Sequence, residues 1–201
     1  MYHRQFKNGV FSAVLIWLLN MLCLYLAGRF SDNDLLYWGT GIVPAAAVVF
    51  ITYRQDHGLK DLGFYPDHLK HDGTAMFCML IIELLIGVYW IRMPWKHAVR
   101  SWLYYIFWIV LQEELVYRGG IQSHLFSPRI NRKVSYLIGA VMFSASHIPY
   151  QMQIRSWDTL FTIQLFNTFL VHLVYGWITE KRGNLCVPWA IHVASDFLEI
   201  M

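Results

Sequence analysis

Long runs of apolar and aromatic residues alternate with short polar connections along the whole chain. Most runs approach the ~20 residues that an α-helix needs to cross the hydrocarbon core of a bilayer. The pattern therefore predicts an all-α fold, a polytopic transmembrane helical bundle of about seven spans that forms one membrane-embedded domain over residues 1–201. The predicted spans cover approximately residues 9–28, 35–53, 75–93, 101–119, 134–149, 158–178 and 185–201.

Two of these runs carry a further expectation. The first follows the basic start MYHRQFK and is too long for the apolar part of a signal peptide, so we expect it to remain in the protein as a span. The fifth reaches Pro149. Because proline has no N–H for the helical hydrogen bond, the fifth helix is expected to end there.

Composition agrees with a membrane protein and argues against a soluble one. Hydrophobic residues make up 57% of the chain and charged residues only 14%, whereas soluble domains usually carry about 25% charged residues. A soluble protein of this composition would expose large apolar patches, which monomers rarely tolerate. The formal charge of +3 is too small to indicate a nucleic-acid partner. The three cysteines lie in apolar runs without CxxC spacing, so they indicate neither a disulfide framework nor a zinc knuckle.

Basic residues are distributed unevenly between the two sides of the predicted bundle. The side opposite the N-terminus carries five of them, Arg29, Arg92, Lys96, Arg100 and Arg155. Cytoplasmic loops carry an excess of Lys and Arg, so we expect a multi-pass protein of the cell membrane with its N-terminus in the cytoplasm. The basic residues on the N-terminal side are Arg4, Lys7, Arg54, Lys60, Lys70, Arg129, Arg132, Lys133, Lys181 and Arg182.

Ionisable residues inside the spans are few, and each requires a partner, a water cavity or a function. An Asp, Lys or Arg at the bilayer centre costs roughly 2.5–3.5 kcal/mol on insertion scales. The stretch WIVLQEELVYRGGI places Glu113, Glu114 and Arg118 in the fourth span. Residues four apart share one face of a helix, so Glu114 and Arg118 are predicted to form an ion pair. Glu113 is rotated ~100° away and is left without a local partner, as a general base requires.

Two further clusters lie on the fifth and seventh spans. The stretch FSASHIP places Phe143 and His147 one turn apart, and AIHVASDF does the same for His192 and Asp196. Small residues between them permit close packing of the helices. Together with Glu113, these side chains can provide a base that activates water, an imidazole that orients it and donors for an oxyanion.

The three motifs, EExxxR, FxxxH and HxxxD, resemble those of the CPBP family, since they occur in that order on three separate spans. This is the family of CAAX prenyl proteases and bacterial Abi-type proteins, which are intramembrane glutamic endopeptidases. The continuation YRGGIQ is also similar to the family pattern. The resemblance covers roughly residues 101–201, whereas residues 1–100 match only as generic membrane helices. It implies a peptide hydrolase with its catalytic pocket between spans four, five and seven.

The resemblance also implies a role for each motif residue. Glu113 would activate the attacking water with the help of His147. His192 and Asp196 would stabilise the oxyanion of the tetrahedral intermediate. Since an ionised carboxylate repels an oxyanion, Asp196 must either be protonated or act by orienting His192. The residues that would support the site are Glu114, Arg118 and Phe143.

Two other interpretations of the same residues stay open. Glu113 and the two motif histidines, with or without Asp196, could form a two-histidine-plus-carboxylate zinc site, although no HExxH motif is present. A non-enzymatic membrane scaffold or immunity-type protein could instead keep the motifs for packing. Under the protease interpretation no cofactor is expected. The expected partners are the lipid bilayer and a membrane-tethered, lipidated or transmembrane protein substrate. The other ionisable span residues, Glu83 and His172, are assigned to packing.

Overall fold

A computed structural model describes residues 9–30, 33–54, 62–64, 66–126 and 130–199. Within these ranges the chain forms seven helical runs and no strand, which confirms the all-α fold. Four of the basic residues on which the predicted orientation depends, Arg4, Lys7, Lys60 and Arg129, lie outside the described residues.

The seven helices follow the seven predicted apolar runs. The first three are α1 at Gly9–Arg29, α2 at Asp34–Arg54, and α3 at Pro66–Leu85 with a π-helical turn at Ile86–Trp90. The fourth, α4, is the continuous run of residues 95–125. The last three are α5 at Arg132–Ile154, α6 at Thr159–Arg182 and α7 at Cys186–Glu199.

α4 changes helical type along its length. It is α-helical at Trp95–Tyr104, π-helical at Tyr105–Val110, α-helical at Leu111–Glu113, π-helical at Glu114–Gln122 and α-helical at Ser123–Leu125. In a π-helix each N–H bonds five residues back, and such turns occur frequently at functional sites. The α-helical geometry expected for the whole EExxxR stretch is therefore wrong from Glu114 onward. The wider turn still leaves residues four apart close to one face.

Capping side chains mark where α5 and α6 begin, and a glycine marks where α6 ends. The side chain of Asn131 accepts a hydrogen bond from the Lys133 N–H at 2.9 Å and so caps α5. Asp158 caps α6 in the same way by accepting from the Phe161 N–H at 2.7 Å. Such caps satisfy backbone donors that have no partner inside the helix. Gly183, with φ 72°, terminates α6 in a left-handed conformation that suits glycine.

The expected end of the fifth helix at Pro149 is wrong, because α5 continues past this proline to Ile154. A proline inside a helix removes one hydrogen bond, and membrane helices tolerate the loss where neighbouring groups satisfy the backbone. Near this point the Gln153 side chain donates to the Pro149 carbonyl at 2.9 Å and to the Tyr25 carbonyl of α1 at 2.8 Å. The extra turn lengthens the packing surface between α5 and α1.

α4 is the central helix and contacts all six others. Around it, α1 packs against α2 and α5, α5 packs against α6, and α3 packs against α7. Two glycines permit the close approach to α4. A Cβ on Gly119 would lie 2.9 Å from the Leu62 carbonyl oxygen, and one on Gly120 would lie 2.7 Å from a methyl group of Val48. The helix that carries EExxxR is therefore enclosed by the rest of the bundle.

Within the described ranges, three helices are long and apolar enough to cross a membrane on length and composition alone: Gly9–Arg29, Lys70–Trp90 and Thr159–Arg182. α4, α5 and α7 carry the polar motif residues, and α7 has only 14 residues. Their crossing remains a prediction, as does the total of seven spans. Large apolar side chains such as Trp90, Phe166 and Trp177 are exposed on the outside of the bundle. Apolar exposure on this scale is what a lipid-facing surface requires.

Candidate active site

Glu114 and Arg118 are completely buried in α4 and contact each other. Arg118 Nη1 lies 3.2 Å from Glu114 Oε1, as the four-residue spacing predicts. Glu113 differs from Glu114 in its surroundings, because 30% of its side chain is exposed. The two adjacent carboxylates therefore occupy different environments, one sealed in the core and one accessible.

His192 of α7 lies among three carboxylates. Its Nδ1 is 2.8 Å from Glu114 Oε1, while its Nε2 is 3.6 Å from Glu113 Oε2 and 3.7 Å from Asp196 Oδ1. A carboxylate in an ion pair only accepts hydrogen bonds, so Nδ1 carries a hydrogen and donates it to Glu114. This contact fixes the ring so that Nε2 faces the other two carboxylates. The sequence assigned Glu114 to Arg118 alone and missed its bond to His192.

Phe143 of α5 is buried and contacts Arg118, His147 and His192. The Arg118 guanidinium carbon lies 4.7 Å from the centre of the Phe143 ring, within the range of a cation–π contact. The same ring meets His147 edge-on at 5.1 Å and His192 edge-on at 6.3 Å. Phe143 thus contacts the arginine and both motif histidines, and its supporting role stays a prediction.

His147 of α5 is oriented by the backbone of its own helix. Its Nδ1 lies 3.0 Å from the Phe143 carbonyl oxygen. A carbonyl accepts but cannot donate, so this nitrogen carries the hydrogen. In the neutral ring Nε2 is then the acceptor nitrogen. This tautomer is the one that can accept a proton or a hydrogen bond from water.

A cavity of about 400 Å³ opens beside Glu113 and His147. Its wall is formed by α1, α2, α4 and α5, and among the described residues none from α6 or α7 borders it. The pocket was expected between spans four, five and seven. α1 and α2 border this cavity instead of α7. The His192 side chain of α7 contacts Glu114 in the core. Residues that border the cavity include Asn20, Cys23, Ala27, Thr40, Gly41, Gln112, Glu113, Tyr117, Ser146 and His147.

Two polar pairs at the site were not predicted from the sequence. Asn20 of α1 donates to the Tyr117 hydroxyl at 2.7 Å. Behind Arg118, Nε2 of the buried His172 lies 3.2 Å from Gln122 Oε1. The available signal was the spacing on α4, since Tyr117 follows Glu113 by four residues and Gln122 follows Arg118 by four. His172, assigned to packing, does pack against Phe143, with ring centres 5.1 Å apart.

The described part of the chain contains no group of three or more His, Cys, Asp or Glu side chains arranged to hold a metal ion. His192 is surrounded by carboxylates, among them Glu113. His147 instead contacts the Phe143 ring. The motif residues meet as two neighbouring groups. Glu113 belongs to both, since it contacts His192 and borders the cavity with His147.

Comparison with known families identifies one match. The sequence model of the Rce1-like family, described as type II CAAX prenyl endopeptidase, matches residues 94–198. The matched part includes all three motifs and extends from the start of α4 almost to the end of α7. No curated protein and no solved structure matches the chain.

Proposed function

The chain belongs to the Rce1-like type II CAAX prenyl endopeptidases, and on this premise we propose that it is an intramembrane endopeptidase whose Glu113 activates water. The observation that carries the proposal is the difference between the two adjacent glutamates. Glu114 is sealed between Arg118 and His192, whereas Glu113 borders the cavity. A general base must reach water, and Glu113 is the one of the two that can.

In the proposed reaction a water molecule enters the cavity between Glu113 and His147. The Glu113 carboxylate takes a proton from the water as its oxygen attacks the carbonyl carbon of the peptide bond. His147 Nε2 accepts the second hydrogen of the water and orients it. The carbonyl becomes an oxyanion, towards which His192 would donate through Nε2–H. In this scheme His192 is an imidazolium, because its Nδ1–H already donates to Glu114. When the C–N bond breaks, Glu113 passes its proton to the leaving nitrogen.

Glu114 and Arg118 act in this scheme by positioning. The Glu114 carboxylate holds Nδ1 of His192, and Arg118 neutralises Glu114 while stacking on Phe143. Buried charges need such partners in a medium of low dielectric constant. Asp196 lies 3.7 Å from His192 Nε2 and orients this ring from the other side.

The proposed substrate is a protein held at the membrane, because the cavity lies within a bundle whose outer surface is apolar. Because the family is described as CAAX prenyl endopeptidases, we take prenylated CAAX proteins as the class to test first. A peptide bond in an intact helix is shielded by its own hydrogen bonds, so the cleaved segment is expected to be terminal or unwound.

The test uses the full chain in proteoliposomes with a fluorogenic peptide that ends in a prenylated CAAX sequence. A second probe carries an unwound transmembrane segment without a lipid. Glu113→Gln keeps nearly the same shape and removes the base, so we expect hydrolysis of the cleaved probe to fall to background while the amount of folded protein stays normal. Hydrolysis that persists in Glu113→Gln would overturn the proposed mechanism. If the wild-type chain cleaves neither probe, the protease proposal itself fails.

A further inference from the structure

Beside the cavity a chain of hydrogen bonds crosses α1, α4 and α5. Asn20 Nδ2 donates to the Tyr117 hydroxyl at 2.7 Å, and this hydroxyl also bonds Ser146. Ser146 Oγ in turn donates to the Phe143 carbonyl at 2.6 Å. An amide N–H only donates and a backbone carbonyl only accepts. The direction is therefore fixed, from Asn20 through Tyr117 and Ser146 to the carbonyl.

This direction determines where the Tyr117 hydrogen points. The phenolic oxygen accepts from Asn20, so its own hydrogen is available as a donor and rests on Ser146. A hydroxyl that accepts one hydrogen bond becomes a stronger donor in the next, as in other hydrogen-bond chains of low local dielectric constant. Tyr117 is thus prepared to donate.

Tyr117 is also fixed in position relative to Glu113. It follows Glu113 by four residues on α4, and both side chains border the cavity together with Ser146. Its ring meets Phe143 edge-on with the centres 4.7 Å apart and is almost completely buried. A hydroxyl held in this way requires little reorganisation when charge develops near it.

The two motif residues expected to stabilise the oxyanion, His192 and Asp196, do not border the cavity. The Nε2 of His192 faces the carboxylates of Glu113 and Asp196. An ionised Asp196 accepts hydrogen bonds and cannot donate them. A donor on the opposite side of Glu113 would complete the stabilisation of the intermediate.

Building on the proposed function, we propose that the Tyr117 hydroxyl is a catalytic donor to the oxyanion and that Asn20 is its positioning residue. When water attacks, the Tyr117 O–H rotates from Ser146 towards the carbonyl oxygen and donates a hydrogen bond to it. The hydrogen stays bound to Tyr117, so no proton is transferred. When the C–N bond breaks and the oxygen becomes a carbonyl again, the hydrogen bond returns to Ser146. Tyr117 therefore acts on the transition state and contributes little to substrate binding.

The test compares Tyr117→Phe with the wild type on whichever probe the wild type cleaves. We expect kcat to fall about 10²- to 10³-fold, the usual effect of removing one oxyanion donor. KM should stay within about threefold of the wild-type value. The inhibition constant of a peptide aldehyde, whose hydrate has the tetrahedral geometry, should rise by the same factor as kcat falls. Tyr136→Phe is the matched control, since it loses a hydroxyl bonded to Glu180 away from the cavity and should keep kcat.

Asn20→Leu keeps the Tyr117 hydroxyl but removes its donor, so kcat should fall at least about tenfold while KM changes little. This variant decides the question if Tyr117→Phe does not fold. Wild-type kcat in either folded variant, with Glu113→Gln inactive, would overturn the role of Tyr117 and leave the protease proposal intact. If the wild-type chain hydrolyses neither probe, both the role of Tyr117 and the protease proposal are overturned.

Discussion

His192 donates through Nδ1 to Glu114 Oε1 at 2.8 Å, and this bond joins α7 to the central helix α4. The same carboxylate oxygen lies 3.2 Å from Arg118. The fully buried Glu114 carboxylate thus contacts Arg118 of α4 and accepts a hydrogen bond from His192 of α7. Its neighbour Glu113 faces the cavity. Adjacent glutamates therefore have separable roles, and several expectations depend on the separation.

Glu114→Gln should destabilise the fold, in contrast to Glu113→Gln. Replacing the buried carboxylate leaves the Arg118 charge without its counterion, and breaking a buried pair in this way costs about 3–5 kcal/mol. The measurement is the temperature at which the detergent-solubilised protein loses its monodisperse peak. Glu114→Gln with wild-type thermal stability would show that the pair does not support the bundle.

His147→Phe should retain the fold and lose turnover. The phenyl ring keeps the edge contact with Phe143 but has no nitrogen to orient water, so kcat is expected to fall about 10²- to 10⁴-fold. The assay is hydrolysis of the prenylated peptide, with thermal stability measured in parallel. Unchanged kcat would remove His147 from the mechanism.

Filling the cavity should block the reaction. Ala27 is a buried residue of the cavity wall, and Ala27→Trp would place a large ring where substrate and water are expected. We expect kcat/KM to fall at least about tenfold through lost access. Ala46→Trp adds the same ring to an exposed position of α2 and serves as the control. Equal activity of the two variants would place the substrate path elsewhere.

Strong chelators should leave the activity unchanged. The proposed reaction uses Glu113 as the base and needs no metal-bound water, so treatment with EDTA and 1,10-phenanthroline is expected to have no effect on kcat. A zinc enzyme of the kind that the same residues could form would lose its activity and regain it with added Zn²⁺. Rescue by Zn²⁺ would therefore replace the glutamate mechanism by the metal one.

The connection between α5 and α6 is expected on the side opposite the cytoplasm. A cysteine introduced by Ser156→Cys, in a background with the three native cysteines replaced, should react with a membrane-impermeant maleimide in intact cells. Labelling only after the membrane is broken would invert the predicted orientation. The cavity is bordered by the ends of α1 and α5 near this side, so the experiment also determines from which side the substrate reaches it.

Features set by neighbouring residues were predictable from the sequence. Apolar runs predict the seven helices, and a four-residue spacing predicts the contact of Glu114 with Arg118, since both depend on local geometry. The π-helical turns of α4 and the continuation of α5 through Pro149 depend on neighbouring helices, which can satisfy backbone groups that one segment leaves unpaired. A pattern along one segment does not contain this information.

Contacts between distant segments were predictable only through the motifs. The resemblance indicated that EExxxR, FxxxH and HxxxD meet, and the structure places Glu113, Phe143 and His192 in contact or adjacent positions. It did not indicate that α1 and α2 line the cavity, because residues 1–100 carry no diagnostic motif. The bond from Asn20 to Tyr117 joins residues 97 positions apart, and nothing in the local sequence of either residue predicts it.

The pairing of Glu114 with Arg118 inside one helix also affects how the protein is made. On the predicted membrane topology, α4 enters the lipid before α5, α6 and α7 have been synthesised. Two opposite charges one turn apart can neutralise each other at that stage, without help from later segments. His192 is synthesised later and then docks on a carboxylate that is already in place, so the site can assemble in the order in which the segments are translated.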